Sequence, residues 1–296
     1  MLRPEWTIIK LLNWTTSYFK SHNIESPRAA AEILLSHALK LKRIDLYLQY
    51  DRPLDKTELA NFKTLIKRRV AREPVAYITG KKEFWSMELE VARDVLIPRP
   101  DTECLVETAL KIISSKPDNI PKQIIELGTG SGAIIIALAA QKPGNIFFAS
   151  DFSIKALKLA RKNAWTHNLN KKINFFSGSW FLPLSNRKCR FDIIISNPPY
   201  IKSSIINKLE PEIYRYEPVL ALDGGKDGLN SLGLIISTAH LYLKDKGSLL
   251  LEIGSDQKNA VEAMISSANN YENVFFTKDY SGFNRVVQMD KKGVLN

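Results

Sequence analysis

Cysteine is nearly absent from this chain of 296 residues. Cys104 and Cys189 stand far apart, and neither belongs to a Cys-x-x-Cys pair, so neither a disulfide framework nor a zinc site is indicated. The four histidines, His22, His37, His167 and His240, share no metal-ligand spacing, and a metal-free mechanism is the expectation. Long apolar runs are missing as well. No stretch approaches the roughly 20 residues that a membrane helix needs, and the first residues, with Glu5 and Trp6, do not read as a secretory signal. These absences predict a cytoplasmic protein that makes no membrane contact. Acidic residues are outnumbered: 31 Asp and Glu against 42 Lys and Arg give a formal net charge of +11. Such a surplus could build a face that attracts phosphate-bearing or acidic partners. Drift towards lysine, in a chain also rich in isoleucine and asparagine, is the preferred explanation, because the basic runs at 40–43 and 67–69 are short and sit in helical or turn context.

The hydrophobic fraction of 45% is ordinary for a globular protein, and the length supports a domain of about 200 residues plus a smaller one. Residues 1–75 read as a small helical domain. Helical spacing is expected over Trp6 to Lys20, Pro27 to Leu39, Ile44 to Leu48 and Lys56 to Arg72, with Ser26 as the cap of the second helix and Pro27 in its first turn. Residues 76–95 form a linker in which the pattern turns to period two, suggesting a hairpin with Gly80-Lys81 as its turn. Residues 96–296 alternate helices with short apolar strands. Strands are expected over Gln123 to Leu127, Asn145 to Ser150, Ile173 to Phe176, Phe191 to Ser196, Gly247 to Glu252, Val274 to Thr277 and Arg285 to Met289. This alternation argues for an α/β doubly wound sheet covered on both faces, with ligands at the carboxyl ends of its strands.

Three motifs fall at such strand ends. Gly128-Thr129-Gly130-Ser131-Gly132 follows Glu126 and precedes the apolar helical stretch Ala133 to Ala140. Its glycines let the backbone bend and approach a ligand that a Cβ would exclude. The spacing departs from Gly-x-Gly-x-x-Gly, and the loop lacks the Lys-Ser/Thr ending of a phosphate-binding loop. Glu126 would repel a diphosphate and suits a cationic ligand such as S-adenosylmethionine, which carries a sulfonium and an amino group. Asp151 ends the next apolar run, where an acid can accept from both ribose hydroxyls; the competing role is to cap the following helix, for which Ser153 also stands ready.

The third motif is Asn197-Pro198-Pro199-Tyr200. A planar NH2 delocalises its lone pair and is a poor nucleophile. The Asn197 side-chain oxygen and the Pro198 carbonyl can each accept one N–H and turn the lone pair towards a methyl donor, while Tyr200 can stack on the planar group. No strong base is required, since the nitrogen becomes acidic once methylated.

With these motifs together, the chain resembles a class I S-adenosylmethionine-dependent methyltransferase, and more narrowly the HemK/PrmC family of protein-glutamine methyltransferases. The narrower resemblance rests on Arg72 to Gly80, Ile97-Pro98-Arg99-Pro100-Asp101-Thr102-Glu103, Glu217 to Gly225 and Arg285-Val286-Val287. It implies a seven-stranded sheet whose last strand runs antiparallel between its neighbours, with an N-terminal module that helps receive the protein substrate. It implies methyl transfer to the side-chain amide nitrogen of the glutamine in the Gly-Gly-Gln motif of peptide chain release factors. The implied site has Glu126, Gly128, Thr129, Gly130, Ser131, Gly132, Asp151 and Asn197 at the cofactor, and Asn197, Pro198, Pro199 and Tyr200 at the substrate amide. Trp180 matches a position near the adenine, although a core aromatic explains it equally well. Glu126 stands where many family members have Asp. Arg99 and Glu103 are substrate-side candidates, while Asp101 is placed to cap the next helix. A monomer is expected. An Asn-Pro-Pro-Tyr pocket would equally accept an adenine amine, so an adenine-N6 or other nucleic-acid amine methyltransferase is the alternative, but no spare target-recognition domain remains for it. A non-catalytic basic binding module would predict a broken site, and every motif is intact.

Overall fold

A computed structural model describes residues 6–115, 120–184 and 190–293. Cys189 and Glu5, used above, lie outside them. The chain forms two compact units: Lys81 and everything before it together with Glu210–Tyr216, and the remainder from Lys82 onwards.

The first unit is helical, with α1 (Ile8–Ser21), α2 (Pro27–Leu39), α3 (Asp45–Leu48), α4 (Lys56–Val70) and α5 (Val75–Thr79). Apolar residues at helical spacing put Ile8, Leu12, Phe19, Leu34, Leu35, Leu46 and Phe62 into one core. Asp55 begins α4 with a capping box, accepting from the N–H groups of Thr57 and Glu58 at 2.7 and 2.8 Å, while Glu58 accepts from the Asp55 N–H. The returning segment adds α9 (Pro211–Tyr214), held by an ion pair of Glu212 with the buried Arg69 at 2.7 Å. Ser26 precedes α2 in a left-handed conformation and its hydroxyl caps nothing; Pro27, which needs no N–H partner, starts the helix alone.

A two-residue hairpin, β1 (Lys81–Phe84) and β2 (Met87–Glu90), replaces the expected longer one. Its turn is Trp85-Ser86, both at positive φ, as type I′ geometry demands. Gly80, expected in that turn, instead ends α5 in the left-handed region.

The second unit carries a seven-stranded sheet: β3 (Gln123–Leu127), β4 (Ile146–Asp151), β5 (Ile173–Ser177), β6 (Phe191–Ser196), β7 (Leu243–Glu252), β8 (Tyr271–Lys278) and β9 (Asn284–Lys291). The order is β5-β4-β3-β6-β7-β9-β8, and β9 runs antiparallel to both neighbours, as expected. Alternate side chains feed two cores. Ile124, Phe147, Ile193, Ile195 and Leu250 pack with α6 (Glu103–Ser115) and α7 (Ala133–Gln141) on one face. Ile125, Leu127, Ile194, Leu249 and Leu251 pack with α10 (Asn230–Ala239) and α11 (Lys258–Ala268) on the other. Burial on both faces is why β3 and β6 read as near-continuous apolar runs. The winding proceeds outward from β3 through β4 to β5, then jumps to β6 on the other side of β3. The crevice of the fold opens at that switch point. Among the described residues, no helix is long and apolar enough to cross a membrane.

Candidate active site

The loops at the carboxyl ends of β3, β4, β5 and β6 surround a cavity of about 360 Å³. Gly128, Gly130 and Gly132 all have positive φ. They form a turn in which the Gly128 and Thr129 N–H groups both donate to the Ser150 carbonyl at 2.9 Å, while the Gly132 N–H closes on Thr129. At Gly132 a Cβ would lie 2.9 Å from Ile136 Cδ1 and 3.2 Å from Ala160 Cβ, so this position is closed to larger residues. Asn163, buried in α8 (Ile154–Thr166), holds the loop by donating to the Ser131 carbonyl at 2.8 Å.

Glu126 is almost wholly buried beneath the loop and accepts from the Thr129 hydroxyl at 2.6 Å and the Ile135 N–H at 3.2 Å. Burial pushes its carboxyl up to about 8. Asp151 accepts from the Gly130 N–H through one oxygen and from the Ser153 N–H through the other, each at 2.8 Å. One lone pair on each oxygen remains for a ligand. Ser153 takes the cap of α8 by accepting from the Ala156 N–H. Burial raises the Asp151 carboxyl above its ordinary value. Trp180 lines the cavity close to Gly128 and also packs against the core behind the sheet.

Asn197 and Pro199 line the same cavity, next to Arg99 and Thr102. Arg99 pairs with Glu217, whose carboxylate is buried and also accepts from the Ile97 N–H at 3.2 Å. Glu103 does not line the cavity; its carboxylate accepts from the Trp85 N–H at 2.9 Å and holds the hairpin turn. Asp101, expected as a helix cap, lies inside a 3₁₀ turn (Pro100–Thr102), and its carboxylate meets Arg285 at 3.2 Å instead. Pro198 is buried, and Tyr200 stands behind the wall with its hydroxyl donating to Glu252 at 3.1 Å. Among the expected residues, the structure therefore brings the glycine loop, Glu126, Asp151, Trp180, Asn197, Pro199 and Arg99 together. Pro198, Tyr200 and Glu103 do not line the cavity.

The segment from Glu217 onward folds over the Asn-Pro-Pro-Tyr motif. Ile201 exchanges backbone hydrogen bonds with Leu222 and Gly224, and Gln257 donates to the carbonyls of Tyr200 and Gly228 at 3.0 and 3.1 Å. At Gly228, with φ +80°, a Cβ would lie 2.4 Å from the Tyr200 carbonyl oxygen. Gly228→Ala should destabilise the protein by about 2–4 kcal/mol and depress activity. Gly282→Ala, at φ +88° with nothing within 4 Å, is the control and should cost about 1 kcal/mol. Denaturant unfolding checks both, and equal losses would show that contact with Tyr200 is unimportant.

Sequence reasoning missed Thr102, Glu217, Glu252 and Gln257. Glu252 ends β7, so the same strand-end rule that selected Asn197 applies to it.

A family model described as the PrmC N-terminal domain matches residues 10–80, and one described as the methyltransferase small domain matches residues 104–210. A release factor glutamine methyltransferase of Geobacter sulfurreducens is 41% identical over 286 residues, covering 96% of this chain and 97% of that protein. The chain belongs to the release factor glutamine methyltransferase family. Another member, from Buchnera aphidicola subsp. Schizaphis graminum, is 44% identical over 273 residues, covering 92% and 96% of the two chains. Solved structures agree on the fold. A methyltransferase from Pyrococcus furiosus gives a TM-score of 0.51 at 18% identity, covering 79% of this chain and all of that one. The hMettl16 catalytic domain, in complex with the MAT2A 3'UTR hairpin 6, gives 0.56 at 16%, covering 82% and 85%.

Proposed function

We infer that the chain transfers a methyl group from S-adenosyl-L-methionine to the side-chain amide nitrogen (N5) of the glutamine in the Gly-Gly-Gln motif of a peptide chain release factor. The observation that carries this is Asn197, at the end of β6, on the wall of the cavity that also holds the glycine loop and Asp151. Near-full-length identity to relatives named for this activity supports the substrate.

The residues fit the cofactor. The glycine loop brings backbone close to the cavity, Asp151 keeps lone pairs for the ribose hydroxyls, and the buried Glu126 carboxyl takes, once ionised, the sign that a sulfonium and an ammonium attract. Bound there, S-adenosylmethionine supplies an electrophilic methyl group. The Asn197 side-chain oxygen, on the cavity wall, accepts an amide N–H, which takes the nitrogen lone pair out of conjugation and aims it. Tyr200 fixes this segment by its bond to Glu252. Methyl transfer to the nitrogen would leave the cofactor as its thioether, and the proton of the nitrogen would pass to water. Arg99, held by Glu217, belongs to the side where the peptide enters. The helical unit of residues 1–75 receives the factor, the hairpin at 76–95 joins it to the catalytic domain of 96–296, and the enzyme works as a monomer in the cytoplasm without a stable nucleic-acid complex.

The test is methyl transfer from labelled cofactor to a release factor, to its Gly-Gly-Gln variant with alanine for glutamine, and to duplex DNA. Label on the intact factor alone is expected. Label on DNA would favour an adenine amine, and label on nothing would leave a binding module.

Cofactor binding should also move a proton. With its carboxyl near 8, Glu126 is mostly neutral at pH 7, and a cation bound beside it lowers that value. Its neutral form is stabilising below the unfolded value of 4.5, and that stability is lost as pH rises through about 8. Calorimetry at pH 7 in buffers of different ionisation enthalpy should detect release of up to about one proton per site. Release that persists in Glu126→Gln would remove Glu126 as its source.

A further inference from the structure

The hairpin of β1 and β2 takes no part in the reaction as written, yet one buried side chain ties it to the glycine loop. Asn163, on α8, is 1% exposed and does not line the cavity. Its Oδ1 accepts from the Glu90 N–H at 2.8 Å, while its Nδ2 donates to the Glu90 carbonyl at 3.0 Å and to the Ser131 carbonyl at 2.8 Å. An amide nitrogen carries two protons, so both are committed, and every partner is a backbone group. Glu90 is the last residue of β2, and Ser131 belongs to the glycine loop and lines the cavity.

Helical spacing lets one element reach both. Ala156, Ala160 and Asn163 share a face of α8, which His167 continues just past the helix end. Along it, Ala156 lines the cavity, the Ala160 Cβ would stand 3.2 Å from a Cβ at position 132, and His167 Nε2 lies 2.8 Å from the Glu88 carbonyl. Lys162 and Lys155 add ion pairs with Glu90 at 2.6 Å and Asp94 at 3.0 Å, which are exposed and contribute little. Glycine has the most backbone freedom to lose, so a loop whose glycines all sit at positive φ keeps its shape through what bonds its backbone. Asp151, on the cavity wall, takes the Gly130 N–H; Asn163 takes the next carbonyl and joins it to β2. We propose that Asn163 is a positioning residue for S-adenosylmethionine binding, which holds the glycine loop in its binding form against the backbone of the hairpin.

Without the Asn163 amide, the loop spends a smaller share of its time in the form that takes the cofactor, and apparent affinity falls by that share. Saturating cofactor draws the loop back, so the chemical step at Asn197 is spared. The coupling is reciprocal: bound cofactor opposes the openings that free Asn163 from its partners, and the Glu90 N–H then exchanges more slowly with solvent. A side chain that only stabilised the fold would give neither effect, because well below the unfolding midpoint almost every molecule is folded with or without it.

The inference rests on the cofactor assignment of the proposed function. Calorimetric titration of the wild type with S-adenosylmethionine separates the two: absence of binding overturns the assignment and the inference with it, whereas the other failures overturn the inference alone. In Asn163→Ala the cofactor Kd should rise by about ten-fold or more, while kcat at saturating cofactor and the release-factor KM stay within about two-fold of wild type. In the unaltered protein, cofactor should slow hydrogen exchange at the Glu90 N–H at least about three-fold more than at the amides of β8, a measurement that needs no variant. The proposal is overturned if the cofactor Kd of folded Asn163→Ala stays within about two-fold of wild type. A fall in kcat as large as the rise in Kd would do the same, as would Glu90 exchange that cofactor slows no more than that of β8.

Discussion

Asn197→Ala is expected to lower kcat for release-factor methylation by about 10²–10³-fold while S-adenosylmethionine affinity changes only a few-fold. On the proposed mechanism, the alanine removes the acceptor for a substrate N–H and leaves the amide nitrogen conjugated and misaimed. It also leaves Thr102 without the donor now 3.3 Å away, but the glycine loop and Asp151 are bonded to each other and not to Asn197. Cofactor binding is thus largely spared. Single-turnover transfer of labelled methyl measures the chemical step directly, and turnover near the wild-type rate would remove Asn197 from its assigned role.

Asp151→Ala should act in the opposite place, weakening S-adenosylmethionine binding by about 10²-fold. On the proposed ribose contact, two hydrogen bonds to a partly buried carboxylate are at stake, each worth about 1.5–3 kcal/mol net of exchange with water. The substitution also releases the N–H groups of Gly130 and Ser153, so the loop itself loosens. Asp151→Asn, which keeps one oxygen, should retain part of the affinity. Calorimetric titration distinguishes these outcomes, and unchanged affinity in the alanine variant would end the ribose assignment.

Much of the fold was legible because its strands are buried on both faces. Ile124 and Ile125 of β3 serve opposite cores, as do Ile193 and Ile194 of β6, and these strands span the residues expected of them. The same holds for α2, where Pro27 marks the first turn. Positions that depend on contacts distant in sequence were read less well. Trp85 and Ser86 carry no turn signature, yet both adopt positive φ where Glu103, eighteen residues on, accepts the Trp85 N–H. Glu103 and Asp101 looked like groups beside a ligand or a helix end, and each found a partner elsewhere.

By itself the sequence determined the α/β alternation, the glycine loop, the acid at the end of β4 and the Asn-Pro-Pro-Tyr segment, because each is a local pattern of backbone freedom, periodicity or side-chain chemistry. Only the tertiary structure decided which of these share a cavity, that Thr102 joins its wall, and that Glu252, Gln257 and Glu217 stand behind it. Those four bond partners tens to more than a hundred residues away, as Glu217 does Ile97 and Gln257 does Tyr200. Such contacts exist only after the sheet has paired and buried the polar groups, which obliges each of them to find a partner within the fold.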